Sequence, residues 1–193
     1  VFLQNQAKYC WEKQRDLLEL YGKKVCIVGC GSVGTECAKR FLVFGCEVIG
    51  VDLFPREDEN YSSMSGLDML EDILLECDVV VLTLPLTEET NHLMNESRFA
   101  RMKRGAILVN IARGAIVDVE ALIQALPNLG GVVLDVFEEE PLSEESMLWD
   151  MENAILTPHN SFVGDGNGKR LNEVILGNLQ EDLSLIHISE PTR

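Results

Sequence analysis

Six short apolar runs alternate with segments of helical spacing, and this alternation limits the possible folds more than any other feature. The runs are KVCIVG (24–29), EVIGVD (47–52), VVVLTLP (79–85), AILVNIA (106–112), GVVLDVF (131–137) and AILTPH (154–159). They are nearly continuous in apolar residues, as expected of strands buried on both faces of a parallel sheet. TECAKRFLVFG (35–45), DMLEDILLECD (68–78), ESRFARMKRG (96–105) and VEALIQAL (119–126) have helical character. Gly45 and Gly105 stand where helices stop, and Arg101 and Lys103 complement the negative end of a helix. The predicted class is α/β, a doubly wound parallel sheet with helices on both faces.

The first of these runs ends in Gly29-Cys30-Gly31-Ser32-Val33-Gly34, a GxGxxG turn between a strand and a helix. Such a turn allows a tight reversal, close approach of backbone to a pyrophosphate, and close helix–strand packing. The helix start then offers unpaired N–H groups to phosphate. Asp52 ends the next strand, 18 residues after Gly34, which completes the pattern for a Rossmann-type dinucleotide site. A carboxylate there accepts hydrogen bonds from both hydroxyls of an adenosine ribose. Against a 2′-phosphate at ~4 Å it would meet repulsion of about 4 kcal/mol per unit charge at an effective dielectric near 20. NAD is therefore expected over NADP, although Arg56 lies close enough in sequence to soften the contrast.

Three further residues fall just past the ends of later strands: Arg113 in NIARGAIVD (110–118), Glu140 in LDVFEEEPL (134–142) and His159 in TPH. Ligands of open parallel sheets bind outside the carboxyl ends of the strands. A guanidinium grips a carboxylate bidentately, an imidazole exchanges a proton near neutral pH, and a glutamate favours the imidazolium. Glu138 and Glu139 read as a solvated acidic face, and His92 as a loop residue without a partner.

In the order GxGxxG, Asp, NxxRGxxVD, DVFxxEPL, TPH, the chain resembles the D-isomer-specific 2-hydroxyacid dehydrogenase family over residues 20–162. The resemblance implies hydride exchange between NAD and a 2-hydroxy or 2-oxo acid. It implies Arg113 as the substrate-binding arginine, His159 as the proton donor and Glu140 as its paired acid. It also implies that Asp135 contacts the nicotinamide carboxamide, that Pro85 and Thr87 lie beside the adenosine and pyrophosphate, and that Ser32 and Val33 belong to the phosphate loop. The family follows TPH with an apolar residue and then small ones, whereas this chain has Asn160-Ser161-Phe162, which bears on substrate choice. A homodimer built through this domain is implied as well.

Residues 1–19 are expected to form a leading helix of interdomain or dimer type, with Leu3, Ala7, Cys10, Trp11, Leu17 and Leu18 on one side. Residues 20–162 make the dinucleotide domain, and residues 163–182 begin a helical return toward a substrate domain outside this chain. The last eleven residues, LSLIHISEPTR (183–193), match the translation of a transposase sequencing adapter and are expected to interrupt that helix. The codons of the nucleotide record test this. Val1 in place of Met suggests sequence upstream, and charges among the opening residues argue against a signal peptide.

The formal charge of −16 over 193 residues argues against nucleic acid as a partner, and the longest apolar runs are too short for a membrane span. The six cysteines contain no CxxC pair, so a reduced, cytoplasmic protein without a metal site is expected. Two other functions share the fold: an NAD enzyme resembling adenosylhomocysteinase, and a non-enzymatic NAD-sensing protein resembling the corepressor branch of the family.

Overall fold

The computed structural model describes residues 2–13 and 17–188. Its contacts divide the chain into two compact units, Val1–Pro158 and His159–Arg193.

The first unit is built on a seven-stranded parallel sheet: β1 Lys24–Val28, β2 Glu47–Val51, β3 Ser63–Ser65, β4 Val79–Leu82, β5 Ile107–Asn110, β6 Gly131–Leu134 and β7 Ala154–Leu156. The strand order is β3-β2-β1-β4-β5-β6-β7. Val25 pairs with both Val48 and Val79, so β1 lies inside the sheet, beside the central strand β4, and the winding reverses between β1 and β4. All six strands expected from sequence are present. β3 was not expected, because Ser63-Met64-Ser65 lacks an apolar run and only β2 pairs with it.

Period-two alternation divides the core between the faces. Cys26, Val28, Ile49, Val51, Val80, Leu82 and Leu108 join one buried cluster. Leu70 and Leu74 of α3 (Leu70–Leu74), Phe99 of α4 (Glu96–Arg101) and Leu122 of α5 (Val119–Ala125) belong to the same cluster. Val25, Ile27, Val48, Val79 and Val81 face the other way, with Ala38 of α2 (Ser32–Val43). Asn95 and Asp118 cap α4 and α5 by accepting the amide hydrogens of Arg98 and Ala121, a contact that satisfies one otherwise unpaired donor at each helix start.

The leading helix is shorter than expected. α1 spans Phe2–Ala7, after which Tyr9 adopts a left-handed backbone (φ 52°) and Trp11 is 93% exposed. Trp11, Leu17 and Leu18 of the expected stripe are exposed, and a short helix without tertiary packing is marginal in water. Residues 14–16 lie outside the described residues.

In the second unit, α6 runs from Asn167 to Ile188. The helix continues past Leu183 into the segment read as adapter-derived. Residues 189–193 lie outside the described residues. Among the described residues no helix is long and apolar enough to cross a membrane.

Candidate functional site

The glycine turn is fixed by packing at both ends and open in the middle. Gly29 has φ +96°, and a β-carbon there would lie 2.5 Å from the Leu84 nitrogen. One on Gly34 would collide with the Gly29 carbonyl, whereas nothing lies within 4 Å of the β-carbon position on Gly31. Thr83, at the exit of β4, donates its hydroxyl to the Gly29 carbonyl (2.6 Å), pinning the turn from below. No side chain caps α2 at Gly31, so the N–H groups at the helix start lack a side-chain cap. Space above Gly31, exposed Ser32 and Val33, and an uncapped helix start together suit a pyrophosphate. Cys30 has a structural part, with its Sγ against the Ile27 and Val51 carbonyls. Burial pushes its thiol up to about 11, far from nucleophilic character.

Asp52 follows β2, and its carboxylate closes the strand end onto the turn. Oδ2 accepts the Cys30 N–H at 2.7 Å and Oδ1 accepts the Phe54 N–H at 3.0 Å. Each oxygen keeps a second lone pair for a ribose hydroxyl. Arg56 reaches the same turn, donating from Nη2 to the Cys30 carbonyl at 2.7 Å. Beside Asp52 lies a cavity of about 190 Å³, walled by Gly29, Phe54, Leu67, Leu84, Pro85 and Thr90 and mostly apolar, as suits a planar base. A larger cleft of about 540 Å³ opens over the β2–β3 connection, but its walls all come from the single stretch Pro55–Met64. The smaller cavity joins β1, β2 and β4 at the reversal of winding, where ligands of this fold bind.

Pro85 and Thr87 stand on the exit of β4. They are organised by a residue that sequence reasoning passed over. Thr90, buried to 1% exposure, donates to the Pro85 carbonyl (2.8 Å) and accepts the Thr87 N–H (2.7 Å).

Arg113 and Glu140 leave adjacent strands, β5 and β6. Asn110 is fully buried at the end of β5, its Oδ1 accepting the Ala112 N–H and its Nδ2 donating to the Arg113 carbonyl. This folds the chain back so that the Arg113 side chain stands on the surface, Nη1 donating to the Ala112 carbonyl at 2.6 Å. Asparagine two residues before a turn is a signal that sequence reading can use. A β-carbon on Gly114 would collide with the backbone of Phe137 and Glu138, so the arginine turn and the β6 exit are in direct contact. There Glu140 accepts the Phe137 N–H at 3.0 Å. Asp135 is 2% exposed and receives the Thr157 hydroxyl at 2.6 Å, a bond across 22 positions that no local pattern announces.

One expectation needs correction: His92 has a partner, its Nε2 lying 2.7 Å from Oε1 of exposed Glu138. Loop–loop packing created this pair, which local polarity could not reveal.

His159 opens the second unit, beyond Thr157 and Pro158 at the exit of β7, and has a left-handed backbone (φ 54°). Within that unit the edge of one ring meets the face of the other between His159 and Phe162, with centroids 6.0 Å apart and planes at 89°. Phe162, one of the departures from the family pattern, thus touches the residue expected to exchange the proton.

An uncapped glycine turn, a carboxylate at the next strand end and an apolar cavity at the winding reversal define a dinucleotide-binding α/β domain. The family model for the D-isomer specific 2-hydroxyacid dehydrogenase NAD-binding domain matches residues 2–161, and the chain belongs to that family. It is 41% identical over 163 residues to a glyoxylate reductase of Pyrococcus horikoshii, covering 83% of this chain and 48% of that protein. A solved D-isomer specific 2-hydroxyacid dehydrogenase family protein of Aeromonas salmonicida superposes with a TM-score of 0.86 at 36% identity, covering 95% of this chain and 59% of the other. The NADPH-dependent glyoxylate/hydroxypyruvate reductase of Sinorhizobium meliloti, solved with NADP and sulfate, gives a TM-score of 0.82 at 28% identity, covering 100% and 60%. The chain spans about half the length of the curated relatives it matches. The domain binds a nicotinamide dinucleotide, and the relatives include glyoxylate reductases and an (S)-sulfolactate dehydrogenase.

Proposed function

We propose that this chain is the cofactor-binding part of an enzyme that interconverts 2-hydroxy and 2-oxo acids, with Arg113, Glu140 and His159 as its chemical residues. The supporting observation is the contact between the Arg113 turn and the Glu140 turn, on adjacent strands and beside buried Asp135. Gly29, Gly31, Ser32, Val33 and Gly34 hold the pyrophosphate, Asp52 the ribose, Pro85 and Thr87 the adenosine side, and Asp135 the carboxamide. The bound dinucleotide supplies or takes the hydride. Arg113 holds the substrate carboxylate and polarises the neighbouring carbonyl, His159 gives the proton to the forming alkoxide, and Glu140 is the acid paired with it. Isolated from a second domain that would exclude water, the chain binds dinucleotide weakly and turns over little.

NAD is the preferred dinucleotide in this reading, because Asp52 presents a carboxylate to the ribose while Arg56 is engaged by the Cys30 carbonyl. A homodimer fits the exposed Trp11, Val43 and Phe44, and a cytoplasmic setting fits the six free cysteines. The net charge of −16 speaks against nucleic acid as a partner. The test is to express the uninterrupted gene product and assay it with NADH and NADPH against glyoxylate, pyruvate, hydroxypyruvate and 3-phosphohydroxypyruvate. NADH-dependent reduction of at least one is expected, with lower efficiency from NADPH. No reduction with either cofactor would refute the reading, and a preference for NADPH would refute the cofactor choice.

A further inference from the structure

We propose that His92 and Glu138 are positioning residues for the substrate site, forming a latch that sets the spacing between the turn carrying Arg113 and the turn carrying Glu140. The inference rests on the function proposed above. His92 grips one turn with its backbone and the other with its ring. Its N–H donates to the Ala115 carbonyl at 2.7 Å, in the turn that follows Arg113 directly. Its Nε2 meets Glu138 Oε1 at 2.7 Å, two residues before Glu140.

Three local features converge on this contact. His92 has a left-handed backbone (φ 47°), which turns the ring back across the exit of β4; histidine is among the few residues other than glycine often found there. Gly114 brings the arginine turn against the backbone of Phe137 and Glu138, closer than any side chain would allow. Glu140 accepts the Phe137 N–H, so its carboxylate is referenced to the segment that Glu138 anchors. The Met94 N–H then donates to the Ile116 carbonyl, continuing the attachment of the 92–94 segment to the arginine turn. Neither His92 nor Glu138 lines the cavity beside Asp52. Loss of the latch should therefore disturb the grip on the acid and leave dinucleotide binding intact.

The variants are Glu138→Ala, which removes the contact, Glu138→Gln, which keeps a neutral hydrogen bond, and His92→Asn, which tolerates the left-handed backbone but cannot span the gap. In the uninterrupted enzyme, Glu138→Ala and His92→Asn should each raise KM for the 2-oxo acid about three- to ten-fold, as for the loss of one hydrogen bond between partly exposed groups. NADH affinity should stay within about two-fold. Glu138→Gln should recover most of the loss, and the double variant should be no worse than either single one. Unchanged KM in both single variants would overturn the latch, as would equal loss of NADH affinity or effects that multiply in the double variant. An inactive wild-type enzyme would instead refute the function proposed above. Amide exchange in the 193-residue chain then still decides the latch. Glu138→Ala should speed exchange at His92 and Phe137 while sparing Val80 and Leu108, and unchanged rates at the first pair would overturn it.

Discussion

The two edges of the sheet use charge in opposite ways. At the amino edge, charged groups are spent on one another. Asp78, just before β4, accepts the Lys24 N–H at 3.1 Å and Lys103 Nζ at 2.7 Å, while Lys24 Nζ reaches Glu76 at 2.6 Å. Asp78 also bonds through its backbone to Lys24 and Ile107, so one aspartate joins the starts of β1, β4 and β5. At the carboxyl edge, polar side chains instead hold the backbone in turns. Asp52 holds Cys30 and Phe54, Asn110 holds Ala112 and Arg113, and Thr90 holds Pro85 and Thr87. The first arrangement fixes strand starts, and the second shapes the turns that border the cavity beside Asp52 and carry Arg113. In one parallel sheet, ion pairs tie the starts of the strands while hydrogen-bonded turns form their exits.

The largest effect is expected at His159. In the uninterrupted enzyme, His159→Ala should lower kcat about 10²–10⁴-fold with NADH affinity kept, measured by steady-state reduction and NADH fluorescence. Unchanged kcat would remove the residue from proton exchange. Arg113→Gln should raise KM for the acid about ten- to a hundred-fold, the worth of a charge-assisted pair, read in the same assay. Gly34→Ala tests the rigid part of the carboxyl edge. The added carbon meets the Gly29 carbonyl, so a loss of about 1–3 kcal/mol in urea unfolding is expected together with weaker NADH binding.

The amino edge should respond in stability alone. Asp78→Asn should cost about 1–2 kcal/mol at neutral pH and leave KM unchanged. Burial works to raise the Asp78 pKa, but hydrogen bonds from Lys103 and the Lys24 backbone outweigh it and hold the carboxyl below its ordinary 3.8. A depressed folded-state pKa contributes stability that is complete above the ordinary value and disappears as pH falls through the lower, folded one. The gap between wild type and Asp78→Asn should therefore be constant from about pH 7 to 5 and shrink below about pH 4. Urea midpoints across that range check it, and a constant gap down to about pH 2 would mean that Asp78 acts without its charge.

Much of the scaffold was legible in order along the chain. Apolar runs gave six strands, and the glycine turn followed by Asp52 was readable as a motif, because strand burial and tight turns demand particular residues at short range. β3 was not legible, since an edge strand of Ser-Met-Ser has no burial pattern to display. The leading helix was over-read because periodicity cannot reveal whether a partner surface is present. Arg113 and Glu140 were placed at strand ends by motif. Their mutual contact through Gly114, the Thr157–Asp135 bond and the His92–Glu138 pair were beyond reach.

The chain alone thus determined which residues could be strands, which turn could meet a phosphate and which side chains had suitable chemistry, since those properties depend on a few neighbouring residues. Tertiary structure decided which polar groups met. Such meetings depend on strand order and on the close approach of loops far apart in sequence, and a histidine read as solitary became half of a 2.7 Å pair only when two strand exits were packed side by side.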